Sequence, residues 1–415
     1  MTTTNRIIVL SSIIARDTAI INNFLVASKA PTPSFNENAL ATIPIPDDAT
    51  DIKDARSRVI ESCSELKALL TGPKELLRFQ WTDHVSVKAI LRFNLDKSFP
   101  LGESTSFEAM SEFSGLSVRN VRRIVRHGII NHYFFQEKSP GVITHSALTA
   151  ILASDEVMRN SLRVELDEFW PAGVKMADAM EKWPNSEESN ETGFSLANNS
   201  DKGMFDIFAD NPERAARFGL YLSKPDPTSD GLLDNYPWAD LRTMVDVGGS
   251  HGSVAISIAE RFPKMKCFVQ DLSDTVAEGA SHLPADLSDR VEFMAHDFFT
   301  PQPVKADVYY FKSIFHNWAD KYCIKILQKL VPALQKGAKI IIHERILPGL
   351  ESLDTVDARR AINMDVAMQQ LLNAHQREMH EWRDLFTAAD ARYHYIGARQ
   401  PPGAIRYIIE AEWQG

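Results

Sequence analysis

Gly248, Gly249 and Gly252 stand in the run Met244-Val-Asp-Val-Gly-Gly-Ser-His-Gly252, between a short β-prone stretch and the helical pattern of residues 253–262. A strand, a glycine turn and a helix start bring bare backbone and free N–H groups to one spot, where a ligand approaches closely. About 20 residues further on, the β-prone run Cys267–Leu272 ends in the acid Asp271. An acid at that place in nucleotide-binding α/β folds bonds ribose hydroxyls. The turn lacks the third glycine of the dinucleotide fingerprint, and no Gly-Lys-Ser/Thr of a phosphate loop follows it. The chemistry expected is binding of a nucleoside without a pyrophosphate, and S-adenosylmethionine (SAM) fits best.

Later β-prone runs also end in polar surprises. After the third comes His296-Asp-Phe-Phe299, where Asp297 offers a carboxylate and Phe298 a ring to an adenine. After the fourth, Val308–Lys312, comes Ser313-Ile-Phe-His316-Asn-Trp318. A lone histidine in an apolar segment is more often structural than catalytic. At a strand end, though, an imidazole that titrates near neutrality suits removal of a proton from a hydroxyl.

These residues need an α/β sheet to hold them at the strand ends, where open sheets bind ligands. From Leu241 onward, strands at 243–248, 266–270, 291–294, 306–310 and 338–343 alternate with helices, which predicts a doubly wound, Rossmann-like sheet. With 415 residues, two domains are expected, and the boundary is placed near residue 190: a mainly helical 1–190 and a nucleotide-binding 191–415. In the first, residues 1–27 form a helix, 31–51 a Pro/Asn/Asp-rich linker, and 51–70 a second helix closed by Thr-Gly-Pro. Ser106–Phe113 and Val118–His127 flank the turn Ser114-Gly-Leu-Ser117, a helix-turn-helix. His132–Gln136 and Gly141–Thr144 then make a small wing. Arg119, Arg122, Arg123 and Arg126 on the second helix suit DNA phosphates or a salt-bridged face of a winged helix used for dimerisation and substrate cover. A net charge of −10 favours the second reading and argues against nucleic acid and anionic membranes as partners. Cys63, Cys267 and Cys323 show no metal spacing, so no metal is expected and a reducing, cytoplasmic setting is. The apolar stretch Asn5–Ile14 has neither the flanks nor the cleavage site of a signal peptide and is expected to pack on a partner or its own domain rather than span a membrane.

The chain resembles the class I SAM-dependent O-methyltransferases of the caffeate and flavonoid type and their fungal natural-product relatives. The resemblance covers roughly residues 100–412 and is carried by Val245–Gly252, Val269–Leu272, His296–Phe299, Phe311–Trp318, Lys339–Glu344 and Glu381–Phe386. It implies SAM, or S-adenosylhomocysteine as bound, with Gly248, Gly249 and Gly252 along the amino-acid and ribose portions. Asp271 would take the ribose hydroxyls, Leu272 would lie against the adenine, and Asp297 and Phe298 would hold its edge and face. Lys312 would sit near cofactor and reaction centre, His316 would be the general base, and Asn373 would line the acceptor pocket. Phe205, Trp318, Met364 and Met368 fit an apolar substrate, and fit a buried core equally well.

Two positions depart from the family pattern. Asn317 replaces the aspartate of His-Asp-Trp, a mild change. Gln376 stands where a glutamate usually buttresses the catalytic histidine, and a neutral amide orients an imidazole without stabilising its charge. Glu378 and Glu381 are the nearby substitutes. The function expected is methyl transfer from SAM to a hydroxyl of a small apolar metabolite of fungal-type secondary metabolism. The alternative is a cofactor-retaining pericyclase or dehydratase, to which the chain is also similar, with His132, His296, Asp297 and Lys312 as hydrogen-bonding groups. A winged-helix DNA-binding regulator ranks third. The apolar N-terminus and helical first domain predict a homodimer.

Overall fold

The computed structural model describes residues 5–46, 48–222, 230–349, 356–402 and 404–415. They fall into two compact units: the chain up to Trp170 with Phe208–Lys224, and Pro171–Ile207 with Pro225–Gly415. Position 190 lies inside the second of these.

In the first unit, the helix Arg6–Ala27 starts on Asn5, whose side chain accepts the Ile7 N–H at 3.1 Å. It packs along the helix Thr50–Thr71. Length and composition alone would let Arg6–Ala27 cross a membrane. Its middle carries an ion-pair cluster instead: Asp17 is fully buried between Arg16 and Arg58, each at 2.6 Å. The two guanidinium groups hold its carboxyl down at about 2. Thr50–Thr71 stops at Gly72, whose φ of +77° a side chain would resist, and Pro73 cannot continue the helix.

The winged helix follows. Ser106 caps the helix Phe107–Ser114, Gly115 ends it at φ +72°, and Ser117 caps Val118–His132 by accepting the Asn120 N–H. Strands β1 (Ser104–Thr105), β2 (Gln136–Ser139) and β3 (Val142–Thr144) form a small antiparallel sheet in the order β1-β3-β2. Met110, Val121, Val125 and Ile143 point into one core with Ile90 and Leu95. Arg126 makes a two-pronged bond to Glu137, Arg122 pairs with Glu108 at 3.7 Å, and both lie over the Phe107 ring. His132, expected on the wing, instead closes the second helix, because the chain reverses only afterwards, at Tyr133 and Phe135 with positive φ.

The second unit is built on a seven-stranded sheet. Its strands are β4 (Thr243–Val247), β5 (Lys266–Asp271), β6 (Val291–Ala295), β7 (Val308–Lys312), β8 (Lys339–Glu344), β9 (Tyr393–Arg399) and β10 (Tyr407–Trp413). The order is β6-β5-β4-β7-β8-β10-β9, the first five parallel and β10 antiparallel to both neighbours. Both faces are covered, so the central strands are apolar throughout rather than alternating. Val245, Val247, Tyr309 and Phe311 pack with Leu327, Trp382 and Phe386 on one side. Met244, Val308 and Tyr310 pack with Trp238, Ala255 and Ile258 on the other. The direction of winding reverses between β4 and β7, the place where such sheets leave a crevice.

Candidate active site

Val247, Asp271, Ala295, Lys312 and Glu344 end the five parallel strands on one edge. The turn after β4 is shaped by its glycines: Gly248 and Gly249 donate their N–H groups to the Gln270 carbonyl at 2.8 and 3.1 Å. Gly248 and Gly252 have φ of +72° and +75°. A Cβ on Gly248 would come within 2.4 Å of Ile314, and one on Gly249 within 2.7 Å of the Asp246 carboxyl. The turn therefore carries no side chain of its own at these positions.

Asp271 holds this turn from β5. Its two carboxylate oxygens accept the Ser250 N–H at 2.9 Å and the Leu272 N–H at 2.8 Å, which leaves each oxygen lone-pair capacity for a ribose hydroxyl. Leu272 beside it is 65% exposed, an apolar surface that an adenine would cover. Asp297 accepts the Phe299 N–H through Oδ1, and Phe298 stands edge-on to Phe299 and Trp318. Apolar faces beside carboxylates that can still accept suit the SAM nucleoside. Beneath the turn, burial pushes the Asp246 carboxyl up to about 7, against the pull of Lys312 at the end of β7. Asp246 sat unnoticed in the glycine-rich run, where its alternation with valines marked it only as strand.

The loop after β7 carries His316 and is gripped from two sides. Glu344, buried at the end of β8, accepts the Phe315 N–H at 2.6 Å and the His316 N–H at 3.1 Å. Arg377, also buried, donates to the carbonyls of Phe315 and Trp318 at 3.0 and 2.9 Å and to Asp320 at 2.7 Å. Burial raises the Glu344 carboxyl to about 7 although Arg377 and the loop amides oppose it. Neither residue received a role from the sequence. The one signal was Glu344 itself, an acid two places after the apolar run Ile340–Ile342.

Gln376 reaches the half-buried His316 ring: its Nε2 and His316 Nδ1 are 2.8 Å apart. Its own N–H goes to Asp365, on the helix Val356–Leu372 that also bears Met364 and Met368. Glu378 and Glu381 do not substitute for it; they close a capping box on the helix Met379–Ala389. Loss of hydration, with the guanidinium groups of Arg406, Arg377 and Arg345, lowers the His316 imidazole to about 4. Asn317 donates to the Ser313 carbonyl at 3.1 Å.

The structure thus gathers the glycines, Asp271, Leu272, Asp297, Phe298, Lys312, His316, Trp318 and Gln376 around the strand ends. Trp318 packs edge-on against Phe299 and Tyr322 as well as Phe298. Asn373 works differently from the expected pocket lining. At φ +50°, its amide donates to the carbonyls of Glu188 and Glu191 and accepts from Gln369, fixing a loop. His132 belongs to the first unit, where its Nε2 bonds the Asp83 carbonyl at 2.6 Å.

The doubly wound sheet, with a glycine turn after β4 and an acid at the end of β5, is the class I methyltransferase fold. Residues 184–392 match the O-methyltransferase domain model. The chain is 37% identical to the O-methyltransferase AMT9 of Alternaria alternata, over 98% of this chain and 97% of that one. It is 36% identical to the grayanic acid biosynthesis cluster O-methyltransferase of Cladonia grayi, over 98% and 87%. The crystal structure of OxaC superposes with a TM-score of 0.79 at 20% identity, over 99% and 100% of the chains. The protein belongs to the SAM-dependent O-methyltransferase family, in the branch of fungal secondary metabolism.

Proposed function

We propose that the acceptor is a hydroxyl of a small, largely apolar metabolite and that His316 removes its proton as the methyl group is transferred. The observation that carries this is the fixed loop: Glu344 takes the His316 N–H, Arg377 holds the carbonyls of Phe315 and Trp318 on either side, and Gln376 holds the ring. Preset geometry of this kind supplies much of the acceleration in a displacement, and proton removal by His316 completes it. SAM, when bound, supplies a methyl group made electrophilic by its sulfonium. Gly248, Gly249, Gly252, Asp271, Leu272, Asp297 and Phe298 would hold it, Lys312 would lie beside it, and Trp318, Met364 and Met368 would line the acceptor side. Incubation with SAM and a panel of phenolic and polyketide-derived acceptors should yield S-adenosylhomocysteine, and His316→Ala should abolish it.

A second reading keeps the fold and drops methyl transfer. The uncharged His316–Gln376 pair favours it, since neutral donors suit a carbonyl or a leaving hydroxyl in a dehydration or pericyclic step. Conversion of a polyene or alcohol at unchanged mass or with loss of water, with no S-adenosylhomocysteine, would establish it.

The first unit supplies the pairing surface of a homodimer in this proposal. Cys63, Cys267 and Cys323 are all free thiols, which fits a cytoplasmic setting.

A further inference from the structure

Gln376 is 2% exposed, and its Oε1 is buried without a hydrogen-bond partner among the described residues. The other end of the same amide lies 2.8 Å from His316 Nδ1. With the two ends exchanged, Oε1 accepts Nδ1–H and leaves Nε2 the lone pair that a base needs. In neither orientation does the amide bring charge to the ring.

Among the described residues, the nearby carboxylates are committed elsewhere. Glu344 is turned to the backbone amides of Phe315 and His316, and Asp365 to the Gln376 N–H. Asp320 is engaged by Arg377. Arg377, the buried cation on this loop, is itself paired with Asp320 at 2.7 Å, and Arg406 donates to Ser313 Oγ at 3.3 Å. An imidazole withdrawn from water whose ring partner is a neutral amide gains a proton with difficulty.

We propose that the methyl acceptor is an acidic O–H, the enol of a 1,3-dicarbonyl or a phenol carrying an electron-withdrawing acyl group, and that Gln376 is the positioning residue that fits His316 to it. The inference rests on methyl transfer taking place at His316. A base that gains a proton with difficulty removes one efficiently only from an oxygen that gives it up readily. In the step, the O–H proton passes to His316 Nε2 and on to water. The oxygen lone pair forms the new O–C bond, and the electron pair of the broken S–C bond stays on sulfur. A simple alkyl phenol would need the charged partner that Gln376 does not provide.

Two measurements test this on the full-length protein. The first is a pH titration of histidine side chains in 15N-labelled wild type and Gln376→Glu, with His316→Asn to assign the signal. His316 should titrate at about 4 in the wild type and at or above the ordinary value of about 6.5 in Gln376→Glu. A wild-type imidazolium at neutral pH, or no change in Gln376→Glu, overturns the role of Gln376. The second compares kcat/KM for acyl phenols and 1,3-dicarbonyl enols with that for alkyl phenols. The acidic class should lead by about tenfold or more, and Gln376→Glu should narrow the gap by raising the alkyl phenols. Equal rates in the wild type overturn the substrate class. Turnover of neither class overturns methyl transfer itself, and the titration still decides the role of Gln376.

Discussion

Glu344 and Arg377 grip one loop in opposite hydrogen-bonding senses: the carboxylate takes the N–H groups of Phe315 and His316, and the guanidinium gives to the carbonyls of Phe315 and Trp318. Each satisfies backbone groups that a short, buried turn would otherwise leave unpaired. Together they turn a flexible connection into a fixed mount for His316.

Removal of Arg377 should therefore cost more than a surface ion pair would. Arg377→Ala leaves Asp320 and the carbonyls of Phe315 and Trp318 without their partner and removes the cation beside Glu344, an expected loss of about 3–5 kcal/mol. Arg377→Lys restores charge without the planar fork and should recover only part of it. Urea unfolding of the three proteins checks the order, and equal midpoints would remove Arg377 from this account.

Asp246 and Glu344 make stability depend on pH in an unusual direction. Both carboxyls are raised to about 7 in the folded protein by burial, from ordinary values of 3.8 and 4.5. Between those limits the folded state holds protons that the unfolded state has lost, so their contribution declines as pH rises through the window. His316, lowered from 6.5 to about 4, works against this over the acid part of the range, where its stabilisation is lost as pH falls. Asp246→Asn should flatten the decline between about pH 5 and 7. An unchanged slope in thermal unfolding would show that Asp246 is ionised in the fold.

The sheet was legible because its chemistry sits at strand ends. Val-Asp-Val-Gly-Gly, the acid at 271 and the histidine at 316 each interrupt an apolar run, and a side chain that breaks a run is visible in one dimension. Strands β9 and β10 escaped a sequence reading that followed the alternation of strand and helix, because they pair antiparallel after that alternation has ended. The Glu344–Arg377 clamp was not legible either, since its work is done on backbone groups that carry no sequence signal. His132 was misplaced by one element because the helix ran five residues beyond His127, through Gly128-Ile-Ile-Asn-His, before positive φ at Tyr133 ended it.

Gly248→Ala should impair cofactor binding more than folding. Its φ of +72° costs an alanine about 1–2 kcal/mol, and the added Cβ would fall 2.4 Å from Ile314 Cδ1, on the loop that leads to His316. The flexible end of Ile314 can give way, moving the loop rather than unfolding the sheet. Calorimetry with S-adenosylhomocysteine should show affinity down by about tenfold or more, for a loss near 1.4 kcal/mol. Undiminished affinity would mean that the turn does not meet the ligand.

The apolar surface at the end of the second helix and just beyond it is the contact expected for the proposed homodimer. Leu69, Leu70, Leu76, Leu77, Phe79 and Trp81 are all exposed within thirteen residues, Phe79 and Trp81 by 81% and 85%. Single exposed apolar residues are ordinary, but a run of six with two aromatics is what an interface leaves uncovered in one chain. Sedimentation at micromolar concentration should give twice the 46.6 kDa of the chain. Phe79→Glu with Trp81→Glu would place charges in the contact and should yield the monomer with an unchanged circular dichroism spectrum. A wild-type monomer would remove the pairing proposal. A dimer that survives both substitutions would move the interface elsewhere, with the exposed side of Arg6–Ala27, where Ile8 and Val26 stand clear of the fold, as the next surface to charge.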